Sequence, residues 1–304
     1  MMIRPAAQAR AQRGVALVLV LWAIALMAVL LGSFALIAHT EHMESRHVFD
    51  AVTARYDAQA GLERAVFELR NSDPAQRWIA DGRPYEFPFG QAMVSVEIND
   101  ESGKIDLNVA DETMLTSLFI SVGVELDRAT ALADAIADWR DPDDLPRANG
   151  AEVAEYKQAG LAYGPRNAPF QTVSEVQQVL GMDYELYRRI EPAVTIYSGS
   201  GTPNPAFAPL EALRALPNMT DDFARQIIEL RQQMLPGQPG AQPLTLPDGT
   251  PIVVNGGGLT YSVKCRAVLP NGVSTVLDAS IRLGGIGTTG RPYTILRWRD
   301  GEAS

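Results

Sequence analysis

The chain has 304 residues, with 26 Lys and Arg against 36 Asp and Glu, a net charge of -10 and a single cysteine. That length leaves room for about two domains beyond a membrane anchor. The acidic balance argues against nucleic acid as a partner, because phosphate backbones are held by Lys and Arg; it also disfavours tight adsorption to an anionic membrane surface. With Cys265 alone, no intramolecular disulfide can form.

The first element is an uncharged run, Val15 to Ala38, entered through Arg13-Gly14. A helix needs about 20 apolar residues to cross a bilayer, so this run is long enough to span. Arg4, Arg10 and Arg13 precede it with no acid among them, and Glu41 and Glu44 follow. The positive-inside rule therefore predicts a cytoplasmic N-terminus, one pass through the membrane and everything after Ala38 outside. The run is too long for the core of a secretory signal peptide, and no small-residue cleavage site closes it. Gly14 is the only small, flexible residue at the basic-to-apolar junction.

Past Ala38 the helical spacing continues through Val48, Val52, Tyr56, Gln59, Leu62, Val66 and Leu69, and no proline intervenes before Pro74. This predicts one helix over 15–70 whose outer half is amphipathic, its apolar stripe covered by a sheet. His39, His42 and His47 lie just beyond the membrane run. With no other His or Cys to complete a set, they read as solvated groups, not metal ligands.

Residues 71–90 are rich in Pro, Gly and Asp and read as a loop. Val94, Val96 and Ile98 alternate with Ser95 and Glu97, the pattern of a half-buried strand over 92–98. From Asp100 to about Met234 the pattern is helical, with a repeated unit at Met114–Ile136, Val173–Ile190 and Leu210–Ile228. In each, a short helix meets a Gly or Pro, a polar cap follows and a second helix starts. Thr172 with Glu175 fits a capping box, Gly181 a C-terminal stop and Thr220-Asp221-Asp222 a helix start. These hairpins are similar to helix-hairpin-helix modules, which clasp DNA backbones in cytosolic proteins. Here the turns Gly123-Val124-Glu125 and Gly181-Met182-Asp183 place an acid near where a phosphate would sit, so protein contact or scaffolding is the better reading.

A Pro/Gly/Gln loop over 235–249 leads to strands at 261–269, 274–283 and 293–299, the first two joined by the turn Pro270-Asn271-Gly272. Cys265 alternates with Tyr261, Val263, Ala267 and Leu269 and so reads as a small buried hydrophobe. A helical domain is therefore inserted between the first strand of a sheet and the others.

No nucleophile-base-acid set, zinc-protease motif or phosphate loop is present, which argues against an enzyme. One cluster has possible chemistry. Between Asp100 and Glu152 there are 13 Asp or Glu against 4 Lys or Arg, concentrated at Asp138, Asp141, Asp143 and Asp144. Hard cations take six to eight oxygen ligands, which crowded acids on a Pro-containing loop can supply. The spacing matches no EF-hand, and a solvated acidic turn remains the alternative.

The junction of basic leader, Gly14 and apolar run resembles the leader of type IV prepilins and pseudopilins, which are cut ahead of the apolar segment. A cut after Gly14 would put Leu19 fifth, where most of that superfamily carries a glutamate that neutralises a neighbour's N-terminal amine. The missing glutamate and the inserted helical domain resemble the GspK family of type II secretion minor pseudopilins. So do four local motifs: Asp100-Glu101-Ser102-Gly103-Lys104-Ile105-Asp106-Leu107-Asn108, Ala137-Asp138-Trp139-Arg140-Asp141, Gly150-Ala151-Glu152 and Arg166-Asn167-Ala168-Pro169-Phe170.

The resemblance implies an α+β, pilin-like fold: a long N-terminal helix on an antiparallel sheet, with a large all-α domain inserted between strands. Its parts would be a leader at 1–14, the helix at 15–70, the sheet from 71–100 with 250–304, and the insert at 101–235. It further implies cleavage between Gly14 and Val15 by a prepilin peptidase, N-methylation of Val15, and Leu19 as a marker of position in the filament. Partners would be minor pseudopilins of the GspI, GspJ and GspH kinds at the pseudopilus tip, during export of folded periplasmic exoproteins across the outer membrane. It also implies calcium in the helical domain, for which Asp138, Asp141, Asp143, Glu152 and Asn167 are the candidate ligands. The rival readings are a membrane-anchored DNA receptor and a plain anchored periplasmic scaffold.

Overall fold

The apolar run and the stretch behind it form α1, Arg13–Leu69, in the computed structural model, which describes residues 13–234, 245–252, 257–284 and 292–302. The leader up to residue 12 lies outside the described residues. The chain divides into two compact units, one ending at Thr53 and the other starting at Ala54. The first carries a segment with mean hydropathy 2.7, none of it buried, long and apolar enough to cross a membrane. Leu19 lies within it, 64% exposed, and His39, His42 and His47 are exposed as expected.

In the second unit the end of α1 covers one face of a five-stranded sheet. Its buried residues are Ala54, Ala58, Leu62, Ala65, Val66 and Leu69. The expected stripe holds only for its last three members, since Val48, Val52 and Tyr56 are exposed. The face that packs sets Ala54, Ala58, Gly61 and Ala65 beside Leu62, Val66 and Leu69, and at its small residues the helix comes close to the strands. A Cβ on Gly61 would stand 2.9 Å from Val94 Cγ1 and 3.2 Å from Cys265 Sγ.

The sheet is antiparallel throughout, in the order β1-β2-β5-β6-β7. β1 is Asp81–Phe89 and β2 is Ala92–Asp100. β1 corrects the loop expected over 71–90. It is an edge strand, where Pro84 and Pro88 are tolerated because one row of N–H groups has no strand to pair with. Trp78 stacks on its Tyr85 with ring centroids 4.2 Å apart. β5 (Thr260–Val268), β6 (Ser274–Leu283) and β7 (Tyr293–Glu302) follow the insert. Val94, Val96 and Ile98 of β2, Val263, Cys265 and Ala267 of β5, and Leu277, Ala279 and Ile281 of β6 point to one core with α1.

Between β2 and β5 lies a helical block with its own hydrophobic cluster. It runs β3 (Ile105–Asp106), α2 (Glu112–Ser121), α3 (Leu126–Arg140), α4 (Val153–Gln158), a 3-10 turn at Val173–Gln178, α5 (Tyr184–Ile190), β4 (Val194–Thr195), α6 (Leu210–Arg214) and α7 (Asp221–Gln233). All three expected hairpins form, the first arm of the second being the 3-10 turn. Each turn holds one residue in the left-handed region: Gly123 at φ 87°, Gly181 at φ 84° and Asn218 at φ 59°. Thr220 caps α7 by accepting from Phe223 N at 3.3 Å. The Thr172–Glu175 box does not form. Glu175 is drawn inward, accepting from Trp139 Nε1, Arg166 Nη1 and Gln171 N. The short parallel pair β3–β4, Ile105 against Val194, was not expected inside a helical stretch.

At the root of the insert, Glu101 is buried and fully engaged. Its Oε1 accepts from Lys104 Nζ at 2.6 Å and from Ser262 Oγ of β5, and its Oε2 from Thr195 Oγ1 of β4. One carboxylate thus ties the sheet to the block.

Cys265 is fully buried as expected, and burial pushes its thiol up to about 12. At pH 8 the native protein should react with a thiol reagent about a thousandfold more slowly than the denatured chain, since only the thiolate attacks. Stopped-flow labelling would show this.

Candidate cation site

The site is built on the end of α3, where Ala137-Asp138-Trp139-Arg140-Asp141 sends successive side chains to different partners. Trp139 stacks on Phe170, ring centroids 6.1 Å apart, and donates to Glu175 Oε1 at 3.2 Å. Arg140 donates to the carbonyls of Leu107 and Ala110. Asn108 brackets Phe170, accepting its N–H at 2.7 Å and donating to its carbonyl at 3.1 Å. Three of the motifs read in the sequence are therefore one contact network that fixes the loop after α3.

Asp138 is fully buried and shapes that loop. Its Oδ2 accepts from Ala151 N at 2.8 Å, and both its oxygens accept from Arg147 N. Gly150 must be glycine, since a Cβ there would stand 1.9 Å from Asp138 Oδ2. Asp134, one turn earlier, holds Asn149 through its backbone N–H at 3.1 Å and side-chain amide at 3.2 Å. The Arg147 side chain reaches back, with Nη1 2.7 Å from Asp138 Oδ1 and 2.5 Å from Asp141 Oδ2, and Nε 2.9 Å from Glu112 Oε1. Burial works against its charge, but the bonds to Asp141, Asp138 and Glu112 outweigh that and raise its pKa.

Four oxygens in this region are buried without a hydrogen-bond partner: Asp141 Oδ1, Glu152 Oε1, Glu152 Oε2 and Asn167 Oδ1. All four belong to the expected ligand set. Asn167 has φ 52°, and its amide donates to Asp143 O at 3.2 Å and Asp144 Oδ1 at 2.7 Å, which leaves its own oxygen as the orphan. Glu152 is 4% exposed. Its carboxyl is pushed up to about 7, first by burial and then by the negative charges of Asp138, Asp141, Asp144 and Asp143.

Buried oxygens left unpaired are costly, and a cation is one kind of partner that would relieve that cost. The donors are hard oxygens, which suits calcium. Among the described residues no three His, Cys, Asp or Glu side chains form a ready ligand group. An ion here would therefore need Asn167 and carbonyl or water oxygens beside the carboxylates. Of the expected ligands, Asp141, Glu152 and Asn167 offer free oxygens. Asp138 is engaged by N–H groups, and Asp143 accepts from Leu145 N at 3.0 Å. Arg147 was missed in the sequence, although it is the only base between Arg140 and Lys157.

Arg128 donates to Gly181 O at 3.2 Å and Asp183 Oδ2 at 2.8 Å, and Arg189 donates to Val122 O at 2.7 Å. The arginines beside the first two turns thus hold the hairpins to each other.

Comparison with known proteins points to one family. The family model described as "Type II secretion system (T2SS), protein K" matches residues 95–199, which include β2's end, the acidic loop and β4. Type II secretion system protein K of Klebsiella pneumoniae is 30% identical over 247 residues, covering 72% of this chain and 75% of that protein. The Pseudomonas aeruginosa protein of the same name is 25% identical, covering 73% of each. Among solved structures, a chain of the GspK-GspI-GspJ complex from enterotoxigenic Escherichia coli matches with a TM-score of 0.57 over 88% of this chain and 99% of its own, at 18% identity. That likeness speaks for the fold. With an apolar helix, an antiparallel sheet and a helical block between β2 and β5, this chain belongs to the type II secretion system protein K family, the minor pseudopilins of that machine.

Proposed function

We propose that the chain is made as a precursor anchored in the inner membrane by the apolar part of α1, with its N-terminus cytoplasmic and its folded part periplasmic. A prepilin peptidase cuts it between Gly14 and Val15, and Val15 is N-methylated. It then joins minor pseudopilins of the GspI, GspJ and GspH kinds at the pseudopilus tip during export of folded proteins. It acts there as a structural component, not as an enzyme.

The observation that carries the tip position is the helical block standing between two adjacent strands of the sheet. A lateral mass of that size would clash with a subunit stacked above it in a helical filament. Leu19 supports the same placement, because an apolar residue cannot neutralise a neighbour's amine. Calcium belongs to this reading, held by Asp141, Glu152 and Asn167 with Asp143 and Asp138 close by. When bound, the ion would supply a partner to buried oxygens that have no hydrogen bond among the described residues.

The test is the mass of the protein from membranes of a peptidase-positive strain. The expected mass lacks Met1 to Gly14 and carries one added methyl group. An intact leader would instead favour the plain anchored scaffold.

A further inference from the structure

We propose that Arg147 is a resident counter-cation that closes the acidic loop in the metal-free protein and competes with calcium for Asp141. The inference rests on the calcium reading given above. Arg147 bridges three carboxylates, Asp138, Asp141 and Glu112, within 2.9 Å. Its position is built into the loop: Asp138 accepts its backbone N–H, and Gly150 leaves room for that carboxylate.

The three contacts are unequal. Asp138 is fully buried and keeps Ala151 N as a partner if the guanidinium leaves. Asp141 has one oxygen on Arg147 and the other buried and unpaired. Glu112 is 45% exposed at the mouth. A divalent ion that took Asp141 would face the guanidinium across a single carboxylate, and like charges that close repel strongly. Loading therefore expels Arg147 from Asp141 towards Glu112, a route its partly exposed side chain allows. The metal-free loop stays ordered because a cation of its own fills part of the metal's role, at the cost of calcium affinity. Affinity at such sites follows the net charge of the ligand set.

A positioning role predicts the opposite sign: if Arg147 holds Asp141 in its ligating rotamer, removing it weakens binding. The test uses the full chain in detergent, with calcium measured by calorimetry and terbium by luminescence sensitised through Trp139 and Tyr156, whose rings lie 6.1 Å apart beside the site. Arg147→Met keeps the aliphatic stem and removes the charge. It should bind both ions at least tenfold more tightly than the wild type, with a lower melting temperature in chelator and a similar one in saturating calcium. Equal or weaker binding overturns the inference. Should Arg147→Met fold poorly, Arg147→Lys keeps the charge but loses the fork, and about threefold tighter binding is expected; unchanged or weaker binding again overturns it. If neither wild type nor variant binds either ion, the calcium reading itself fails, whereas equal binding by both removes the competition alone.

Discussion

Gly103→Ala should destabilise the folded part by about 3 kcal/mol, at the upper end of overpacking costs. An added Cβ would stand 2.5 Å from the carbonyl carbon and oxygen of Phe207 and 2.7 Å from Ala208 N. All are backbone atoms, so no rotamer change relieves the clash. Nor can the opposing segment retreat. Asn204 N donates to Ser102 O at 2.7 Å, and the buried Arg231 holds the carbonyls of Pro205 and Ala208 at 3.0 Å. In a unit of this size the melting temperature should fall by roughly 10 °C. Gly284→Ala is the control, because a Cβ there meets nothing within 4 Å. Thermal unfolding of both variants decides the matter, and equal melting temperatures would show that Gly103 does not require this close approach.

Glu152→Gln should stabilise the metal-free protein at pH 8 and abolish its response to calcium. The folded carboxyl is raised from 4.5 to about 7, so between those values the folded state binds more protons than the unfolded chain. Stability therefore falls as pH rises through that window, by up to about 3 kcal/mol at 1.36 kcal/mol per unit. Glutamine carries no charge to bury and loses nothing over the same range. Wild type and variant should melt alike near pH 4.5 in chelator and diverge by pH 8, the variant being the more stable. Calcium closes most of that gap: a ligand at a hundred times its dissociation constant adds about 2.7 kcal/mol to whichever protein binds it. Melting curves at both pH values, with chelator and with millimolar calcium, test both parts. An equal calcium shift in both proteins would remove Glu152 from the site.

The large periodicities were legible in the sequence. The apolar run, the three hairpins and the alternating strands each repeat one physical pattern over many residues, and all appear in the structure. What escaped notice depended on context. β1 carries Gly82, Pro84 and Pro88, which look like a loop unless the segment is known to lie at an edge. The buried face of α1 was assigned to its larger apolar residues. The sheet takes Ala54, Ala58 and Ala65 in place of Val48, Val52 and Tyr56, beside Leu62, Val66 and Leu69, since close approach favours small side chains. Glu175 matched a capping box locally, but a buried tryptophan and an arginine held it more strongly. In the candidate site, composition found the acids and motif resemblance found Asn167. Arg147 escaped because a count of charges does not show which of them one base will touch.

Asp100 at the end of β2 pairs with Tyr261 at the start of β5, so roughly 160 residues lie between two side-by-side strands. An unfolded segment of that length would slow the pairing, because chain closure must come before its contacts form. The block between them has its own core and can draw its two ends together as it folds. The order of events during synthesis follows: the insert matures first, the sheet closes last, and a defect in the insert appears as slow formation of strands far from the mutated residue.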